Sequence, residues 1–473
     1  MKKHLILLLV LSTFASVYAT REVFSRSFMY TKPAFYDIVM EQALWHNIAY
    51  NKKGFLEGGI QITPFFQRSM PLAKNARYFL MNDKNALLVA GDDTPFKLTR
   101  DIRAEWVGLP GNFSGVLSMN PKQQQGGFTF EYHQDLRQWA DVAFLRDMYI
   151  TAIIPFAVVK NNIHFTQCDI VNPSPTFPHD ILEAFNQPSW CFSRIVNGQK
   201  KTGIAEIKLK IGTSYISEDY LQVNYYTILT IPTGNKQNGK TMFQPVNGNN
   251  HHLGVGAGIN IQAPLNRDIS EYAWCFFLYL ESSILIRNKQ FRTYDLYNPG
   301  FSKNPWSRFL MVITEEQPDI PQPGVNFLTQ KITAKPFNVV DFALGWRFTE
   351  EHIETEIGYG IWGHGNERTN INKPFKQVFG IASSVPGKTA SESTIAQEAE
   401  PDDKFVPILK ADLNPQSGES FGGFNQRAFG SVGWRNKGTA SDTVLGAGWS
   451  IDVPFHNSFL QLWKVWIKLS ATF

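Results

Sequence analysis

The 473-residue sequence is poor in charge, in cysteine and in long apolar runs. Charged residues make up 18% of the chain, and Lys and Arg are scattered along it, which excludes the concentrated basic face of a nucleic-acid binder. Beyond the N-terminus no stretch reaches the roughly 18 consecutive apolar residues of a transmembrane helix. The first of three cysteines is Cys168, which lies too far along the chain for a lipid-modified N-terminal cysteine.

Residues 1–19 have the pattern of a secretory signal peptide. Lys2 and Lys3 form a basic start, residues 5–14 are apolar, and Ala19 ends the small-residue site where a signal peptidase cuts. The apolar stretch is about half as long as a membrane-spanning helix requires. Removal of the two lysines lowers the formal net charge from +4 to about +2. The exported chain is therefore expected in the periplasm, in the outer membrane or outside the cell.

Aromatic residues and alternating segments are what the sequence has in abundance. Aromatics make up 14% of the chain, as expected if aromatic girdles lie at two membrane interfaces. In residues 205–211 the odd positions are apolar and the even positions are Glu206, Lys208 and Lys210. Such a pattern indicates a β-strand whose two faces meet different solvents. The same alternation recurs in 221–231, 340–348 and 353–361.

The last strand carries the most specific signal. Residues 460–473 alternate, with Lys464 and Lys468 in the polar phase, and the chain ends on Phe473. This ending resembles the final strand of bacterial outer-membrane β-barrels, whose terminal Phe is part of the signal read by the barrel-assembly machinery. The resemblance implies a transmembrane barrel, with outer-membrane lipids and that machinery as partners and Phe473 as an assembly signal.

A second resemblance covers residues 203–260. A strand there ends at Ile231-Pro232-Thr233-Gly234-Asn235, and a glycine-spaced strand follows from His252 to Gly258. This order is similar to that of outer-membrane channels for hydrophobic compounds, namely the long-chain fatty-acid transporters and the porin-like proteins of aromatic-degradation operons. It implies transport of hydrophobic compounds as one function to test.

The alternating segments predict an all-β protein, an antiparallel up-and-down barrel of 12 strands. A further pair within residues 98–120 would give 14 strands, because residues 101–106 also alternate. The predicted strands are 54–66, 126–134, 148–159, 204–212, 220–231, 252–261, 272–286, 337–348, 353–362, 425–435, 443–453 and 460–473.

Short and long connections alternate along this strand list. Short turns near 214–219 and 349–352 are expected in the periplasm, and long loops outside, as in outer-membrane barrels. The polar, Pro-interrupted stretch 364–423 predicts a mobile outer loop. Residues 34–49 have apolar positions at helical spacing behind Pro33. This helix either plugs the barrel or packs on the periplasmic turns, and residues 67–125 are a second candidate for filling the lumen.

The predicted organisation is a signal peptide at 1–19, an N-terminal segment with the short helix at 20–52, and the barrel at 53–473. Cys168 and Cys191 fall in one outer loop and are a disulfide candidate in an exported protein, while Cys275 is expected as lumen filler. His133 and Glu131 share a strand face, but no serine with a recognisable surround completes a catalytic group. No enzyme activity, metal or cofactor is predicted.

The inward phase of the predicted strands carries eight acids and seven bases, which are expected to line the lumen. We therefore expect a porin-like channel for passive diffusion of small solutes, through a lumen of nearly cancelled charge. A structural or adhesive barrel without conduction and a transporter of hydrophobic compounds are the two other hypotheses, and the oligomeric state stays open. The lumen-lining candidates are Glu57, Glu131, Glu206, Glu281, Asp341, Glu354, Glu356, Asp452, Lys208, Lys210, Arg347, Arg427, Arg435, Lys464 and Lys468.

Overall fold

The structure is a computed structural model. It describes residues 25–45, 58–136, 148–173, 176–217, 221–265, 272–298, 302–371, 373–438, 441–455 and 459–473. The predicted signal peptide and Glu57 lie outside the described residues.

Twelve antiparallel strands form one closed barrel within the described residues, and each strand pairs with its neighbours in sequence. The first and last strands pair with each other and close the cylinder, with Ile62 opposite Leu469. The strands are β1 (Gly58–Ser69), β2 (Lys122–Asp135), β3 (Met148–Asn162), β4 (Glu206–Ser217), β5 (Leu221–Pro232), β6 (Gly254–Pro264), β7 (Tyr272–Leu285), β8 (Asn338–Glu350), β9 (Ile353–His364), β10 (Gly423–Lys437), β11 (Asp442–Pro454) and β12 (Leu462–Thr472).

The prediction of 12 strands is confirmed, and the 14-strand alternative is wrong. Ile102–Arg103 and Ser114–Ser118 belong to a separate four-stranded sheet with Ala86–Ala90 and Thr166–Val171. Strands of 2 and 5 residues are too short to cross a membrane, which takes about 9 to 11 residues. The alternation near residue 101 therefore belongs to a small sheet outside the barrel.

The outer surface of the barrel is apolar and its interior is polar. In β12, Val465, Ile467 and Leu469 are 44 to 51% exposed, whereas Lys464 and Lys468 are 1% and 0% exposed. The pleat of a strand places successive side chains on opposite faces, so both lysines of β12 point inward. This is the surface of a membrane-spanning barrel, since a Lys or Arg on the lipid face costs about 2–4 kcal/mol at the midplane.

The long connections meet at one end of the barrel and fold into a cap. The cap comprises the described parts of 70–121, 163–205, 233–253, 286–337, 365–422 and 455–461. Its apolar core includes the buried residues Phe79, Trp306, Phe309 and Leu310. The described turn at residues 351–352, between β8 and β9, and the C-terminus lie at the opposite end, in line with the predicted alternation of loop lengths.

Short elements make up the cap. Apart from the four-stranded sheet, its strands are Gln199–Ile204, Asn288–Thr293, Asp295–Tyr297, Lys303–Asn304, Met311–Thr314, Gln317–Pro323, Thr329–Lys335, Arg368–Asn370, Phe379–Ile381 and Leu413–Asn414. The short helices are α2 (Ile181–Ala184) and α3 (Val325–Leu328), with 3-10 turns at Ala73–Tyr78, Ala104–Val107, Ser307–Phe309, Lys410–Asp412 and Pro415–Gly418. None of the helices in the described ranges has the length and hydropathy needed to span a membrane.

The stretch 364–423, predicted to be mobile, is folded in its described part. Phe379–Ile381 pairs with Met311–Thr314, and Ile395 and Ile408 are buried in the cap core. These widely spaced apolar residues gain partners only from other connections, so the polar composition of the stretch alone was misleading. Residues 67–125 likewise continue from β1 into the cap and return in β2.

Residues 25–45, here called the plug, enter the barrel. The predicted helix at 34–49 is shorter in the structure, where α1 spans Ile38–Gln42. Asp37 begins the helix in place of Pro33, because its carboxylate accepts from the backbone N–H groups of Val39 and Met40 at 3.1 and 3.3 Å. Residues 46–49 lie outside the described residues.

Candidate functional site: the occupied lumen

The plug runs the length of the lumen from the cap to the opposite end. At the cap, the Ser27 N–H donates to the Ser417 carbonyl at 2.8 Å. At the other end, Trp45 Nε1 donates to Glu131 on β2 at 2.8 Å. Gly59 faces the Trp45 indole so closely that a Cβ there would lie 2.6 Å from the ring. Of the two placements open for the predicted helix, the structure therefore has it inside the barrel.

A first group of ion pairs holds the middle of the plug. Lys32 Nζ lies 2.8 Å from Asp452 on β11. Asp37 lies 2.8 Å from Arg427 Nη1 on β10 and also pairs with Lys464 on β12. Arg427 further contacts Asp341 at 3.1 Å and Asp452 at 3.0 Å. Lys32 and Asp37 of the plug thus meet lumen charges of the opposite sign.

A second group lies one helical turn further along the plug. Glu41 pairs with Lys208 at 3.3 Å and with Lys210, both on β4. Glu281 on β7 pairs with the same two lysines. Two acids therefore share two bases in a site from which water is largely excluded, since each of the four side chains is at most 11% exposed.

Lumen side chains also hydrogen bond to the plug backbone. Asp341 accepts from the Ile38 N–H at 2.9 Å, at the start of α1. Lys468 Nζ donates to the carbonyls of Glu41 and Ala43 at the other end. The ends of a buried helix leave backbone groups without intrahelical partners. The barrel supplies those partners, with an acid at the positive end of α1 and a base at the negative end.

The other side of the plug is apolar. Phe35, Ile38, Val39, Met40 and Ala43 are buried against an apolar lumen patch. That patch is formed mainly by Phe65, Phe277, Phe429 and Trp466. Plug and lumen are therefore complementary. The apolar side of the plug packs on aromatic rings of the lumen, and the charged side forms ion pairs with it.

Burial and charge act in opposite directions on Asp37. Its burial favours the neutral acid, but the charges of Arg427, Lys464 and Lys32 outweigh this and hold the pKa of Asp37 below its ordinary value. The carboxylate is therefore ionised at neutral pH, as the ion pairs require.

The remaining predicted lumen residues bond to other barrel residues or to the plug. Arg347 lies 3.0 Å from Glu354 and 2.7 Å from Glu356. Arg435 pairs with Asp442 at 2.7 Å, and Glu206 accepts from the Tyr36 hydroxyl at 3.0 Å. All fourteen described candidates except Arg435, which is half-buried, are buried in the structure. A lumen open to water would leave such side chains accessible, so the passage is filled.

The predicted disulfide between Cys168 and Cys191 is wrong, because both cysteines are free and exposed. Cys168 lies on the edge strand Thr166–Val171 with its thiol near Asp169. The backbone N–H of Cys191 instead donates to Asn326 at 2.7 Å. The two cysteines are near in sequence, but they contact different parts of the cap. Cys275 is half-buried and also free.

His133 and Glu131 share a strand face but have different partners. His133 Nδ1 bonds Thr151 Oγ1 at 2.9 Å, while Glu131 accepts from Trp45 and Gln61. His252 bonds the Ile286 carbonyl at 2.8 Å. Among the described residues no group of three or more His, Cys, Asp or Glu side chains could hold a metal ion.

Sequence reasoning missed the plug side of the site. Lys32, Asp37 and Glu41 were not singled out, although Asp37 and Glu41 are four positions apart and so lie on one face of a helix. That spacing, next to the apolar positions Ile38 and Val39, was the available signal. It could not identify the partners, since Asp37 and Lys464 are 427 positions apart.

Comparisons with known proteins give similarity at the level of the fold. No family model matches the chain, and no curated protein sequence does so either. An outer membrane channel from Pseudomonas putida F1 is 9% identical, with a TM-score of 0.37 over 89% of this chain and 97% of that one. A FadL homologue from Pseudomonas aeruginosa is 6% identical, with a TM-score of 0.28 over 95% and 99%. The transport unit of the Escherichia coli autotransporter AIDA-I is 8% identical, with a TM-score of 0.29 over 92% and 96%.

These TM-scores are low, so the fold assignment rests on the strand ladder of this chain. That ladder confirms the outer-membrane-type barrel to which the last strand was likened.

Proposed function

We propose that the protein is an outer-membrane channel for small polar solutes, closed at rest by its own N-terminal plug. The observation that carries the proposal is that the plug crosses the whole lumen but adds no strand to it. The ladder from β1 to β12 is closed without the plug. Removal of the plug would therefore open a passage and leave the barrel wall intact.

The chemistry of the interface suits a plug that leaves and returns. Lys32, Asp37 and Glu41 meet partners of opposite charge in the lumen. Those groups would be hydrated by the water that replaces the plug, so the open state leaves no charge buried and unpaired. The apolar side contributes affinity for the plug, since burial of apolar surface gains roughly 25 cal/mol per Å².

The sequence rules for such barrels supply the orientation. The long connections form the cap and are placed outside the cell, with the turns and the C-terminus in the periplasm. The charges expected in the open lumen nearly cancel, since the described candidates comprise seven acids and seven bases. We expect the open channel to select by size and only weakly by charge, because fields are screened over about 8 Å at physiological salt.

The test is the conductance of the unmodified chain and of a variant lacking residues 25–45, both in planar bilayers. The variant is expected to conduct steadily, whereas the unmodified chain opens rarely. A synthetic peptide of residues 25–45 should block the variant, and a peptide of the same composition in scrambled order should not. A variant that inserts with the heat-modifiable mobility of a folded barrel and yet never conducts would contradict the proposal.

The cap favours a second candidate function, a surface barrel that binds a partner without conduction. Its connections share one apolar core, which includes Trp306 and Phe309. Loops that only connect strands do not require an apolar core of their own, so the cap core favours a further role such as binding. Absence of conductance in both proteins of the bilayer test would favour this candidate. Transport of hydrophobic compounds has less support, because the apolar lumen patch is flanked by the ion pairs of Asp37 and Glu41.

A further inference from the structure

Four aromatic side chains of the barrel and cap surround one plug residue at the cap end of the lumen. They are Phe337, Trp362, His364 and Phe459, here called the aromatic box. The Tyr30 ring lies 5.0 Å from Phe337 and 5.1 Å from His364, edge to face in both cases. It stacks on Trp362 at 6.5 Å. These separations are near those of favourable aromatic pairs.

The walls of the box hold each other in place without Tyr30. Phe337 stacks on His364 at 3.7 Å, and Phe459 lies 5.4 Å from Trp362 and 4.8 Å from His364. Trp362 and His364 belong to β9 of the barrel wall. The box therefore stays assembled when the plug leaves.

A carboxylate completes the box. Asp452 on β11 lies 2.8 Å from Lys32 Nζ, and this ammonium is 5.7 Å from the Trp362 ring. A cation over an indole face with a desolvated carboxylate beside it is a recognition arrangement for organic ammonium groups. Tyr30 and Lys32 together thus present a ring and an ammonium group to one site.

Two polar atoms of the box make no hydrogen bond within the described structure, namely Trp362 Nε1 and His364 Nε2. Trp362 is 0% exposed and His364 is 3% exposed. Buried polar atoms without partners are uncommon and costly. Since His364 Nδ1 faces the Gly365 carbonyl at 2.7 Å, we assign the proton to Nδ1, so that Nε2 is free to accept. The box thus offers one donor and one acceptor to a polar group on a bound ring.

We propose that the aromatic box with Asp452 is a ligand site for aromatic amines, meaning an aryl ring that carries a protonated alkylamine, and that Tyr30 and Lys32 occupy it as an internal substitute. The inference rests on the proposed function, because the plug must withdraw before a solute can take its place. A ligand that binds only the vacated site shifts the population toward the open channel. Aromatic amines are then both ligands and openers.

The binding test uses the full chain with Tyr30→Ala and Lys32→Ala, which vacates the box and keeps the rest of the plug. Tyramine is titrated into the detergent-solubilised variant by calorimetry, beside p-cresol, which has the ring without the ammonium group. We expect saturable binding of tyramine and binding of p-cresol weaker by about tenfold or more. Added Asp452→Asn or Trp362→Leu should weaken tyramine binding by a similar factor. The control Asp319→Asn, the same chemical change as Asp452→Asn at an exposed carboxylate of the cap, should not.

A folded double variant that binds no tyramine would overturn the proposal, and so would binding that survives Asp452→Asn and Trp362→Leu. The unmodified chain gives a second measurement if the double variant does not assemble. Tyramine should then raise its open fraction in planar bilayers and p-cresol should not; equal effects of the two would also overturn it. Tyramine binding by a barrel that never conducts would keep the ligand site and refute the gated channel, so the two failures are distinguishable.

Discussion

Asp37→Asn should release the plug. Asp37 is the carboxylate that pairs with Lys464, whose ammonium is 0% exposed, and it is one of three carboxylates around Arg427. Asn keeps the capping oxygen at the start of α1, because Asn and Asp are equally good N-caps. The substitution therefore removes charge and little else, and it leaves Lys464 buried beside a neutral amide.

The size of the effect follows from burial. Loss of one partner of a buried ion pair costs about 3–5 kcal/mol, because the other charge stays desolvated. The cost applies only while the plug is in place, since Lys464 is hydrated in an open lumen. At about 1.4 kcal/mol per tenfold change, the ratio of open to closed channels should rise by about 100-fold or more.

The measurement is the open fraction of single channels in planar bilayers. Asp319→Asn makes the same chemical change at an exposed carboxylate of the cap and should leave the open fraction unchanged. Lys464→Met added to Asp37→Asn should restore much of the closure, because it removes the unpaired ammonium. An Asp37→Asn channel that opens no more often than the parent would refute the reasoning that ion pairs hold the plug.

The ion pair of Asp37 with Lys464 also predicts how the open fraction depends on pH. The pKa of Asp37 lies below its ordinary value in the closed state. Its stabilisation of the closed state is therefore complete above the ordinary value, about 3.9, and is lost as the pH falls through the lowered pKa. The difference in open fraction between parent and Asp37→Asn should persist at pH 5 and vanish only in stronger acid. A difference that disappears already near pH 6 would contradict an ionised Asp37.

Three further predictions concern packing, assembly and topology. Gly446→Val should raise the open fraction, because a Cβ at this position would lie 2.2 Å from Leu44 Cδ1 of the plug; bilayer recording checks it. Deletion of Phe473 should reduce barrel assembly, measured by outer-membrane fractionation, because its backbone pairs with Gly58 at 3.0 and 3.1 Å across the closing seam. A membrane-impermeant maleimide should label the exposed Cys168 and Cys191 on intact cells. Cys168 should react more slowly, because the hydrogen bond to Asp169 raises the pKa of its thiol. If neither cysteine is labelled, the cap faces the periplasm and the orientation is wrong.

The barrel strands could be predicted from sequence because alternation is local. Lys464, Trp466 and Lys468 are two positions apart and lie on one face of the strand. Val465 and Ile467 lie on the other face. Nothing beyond the strand itself is needed to assign its two faces. The same logic fails at residues 101–106, where alternation occurs in a chain too short to span the membrane.

The plug could not be placed from sequence because its partners are distant. A helix with Ile38 and Val39 on one side and Asp37 and Glu41 on the other fits a periplasmic surface as well as a lumen. Only the threaded chain brings Glu41 to Lys210, 169 positions away. The cap could not be predicted for the same reason. Ile395 and Leu310 belong to one apolar core, and that core forms only when several connections pack together.

From sequence alone, the inward charges predict a water-filled pore, because buried ions need hydration or partners. The structure supplies partners instead, and this polarity itself argues for a movable plug. A permanent plug would be held as well or better by apolar packing, since replacement of buried ion pairs with hydrophobic side chains is often neutral or stabilising. In the closed channel, Asp37 is paired with Arg427 and Lys464. In the open channel, water hydrates the same three groups. Two satisfied states of similar free energy are what a gate requires.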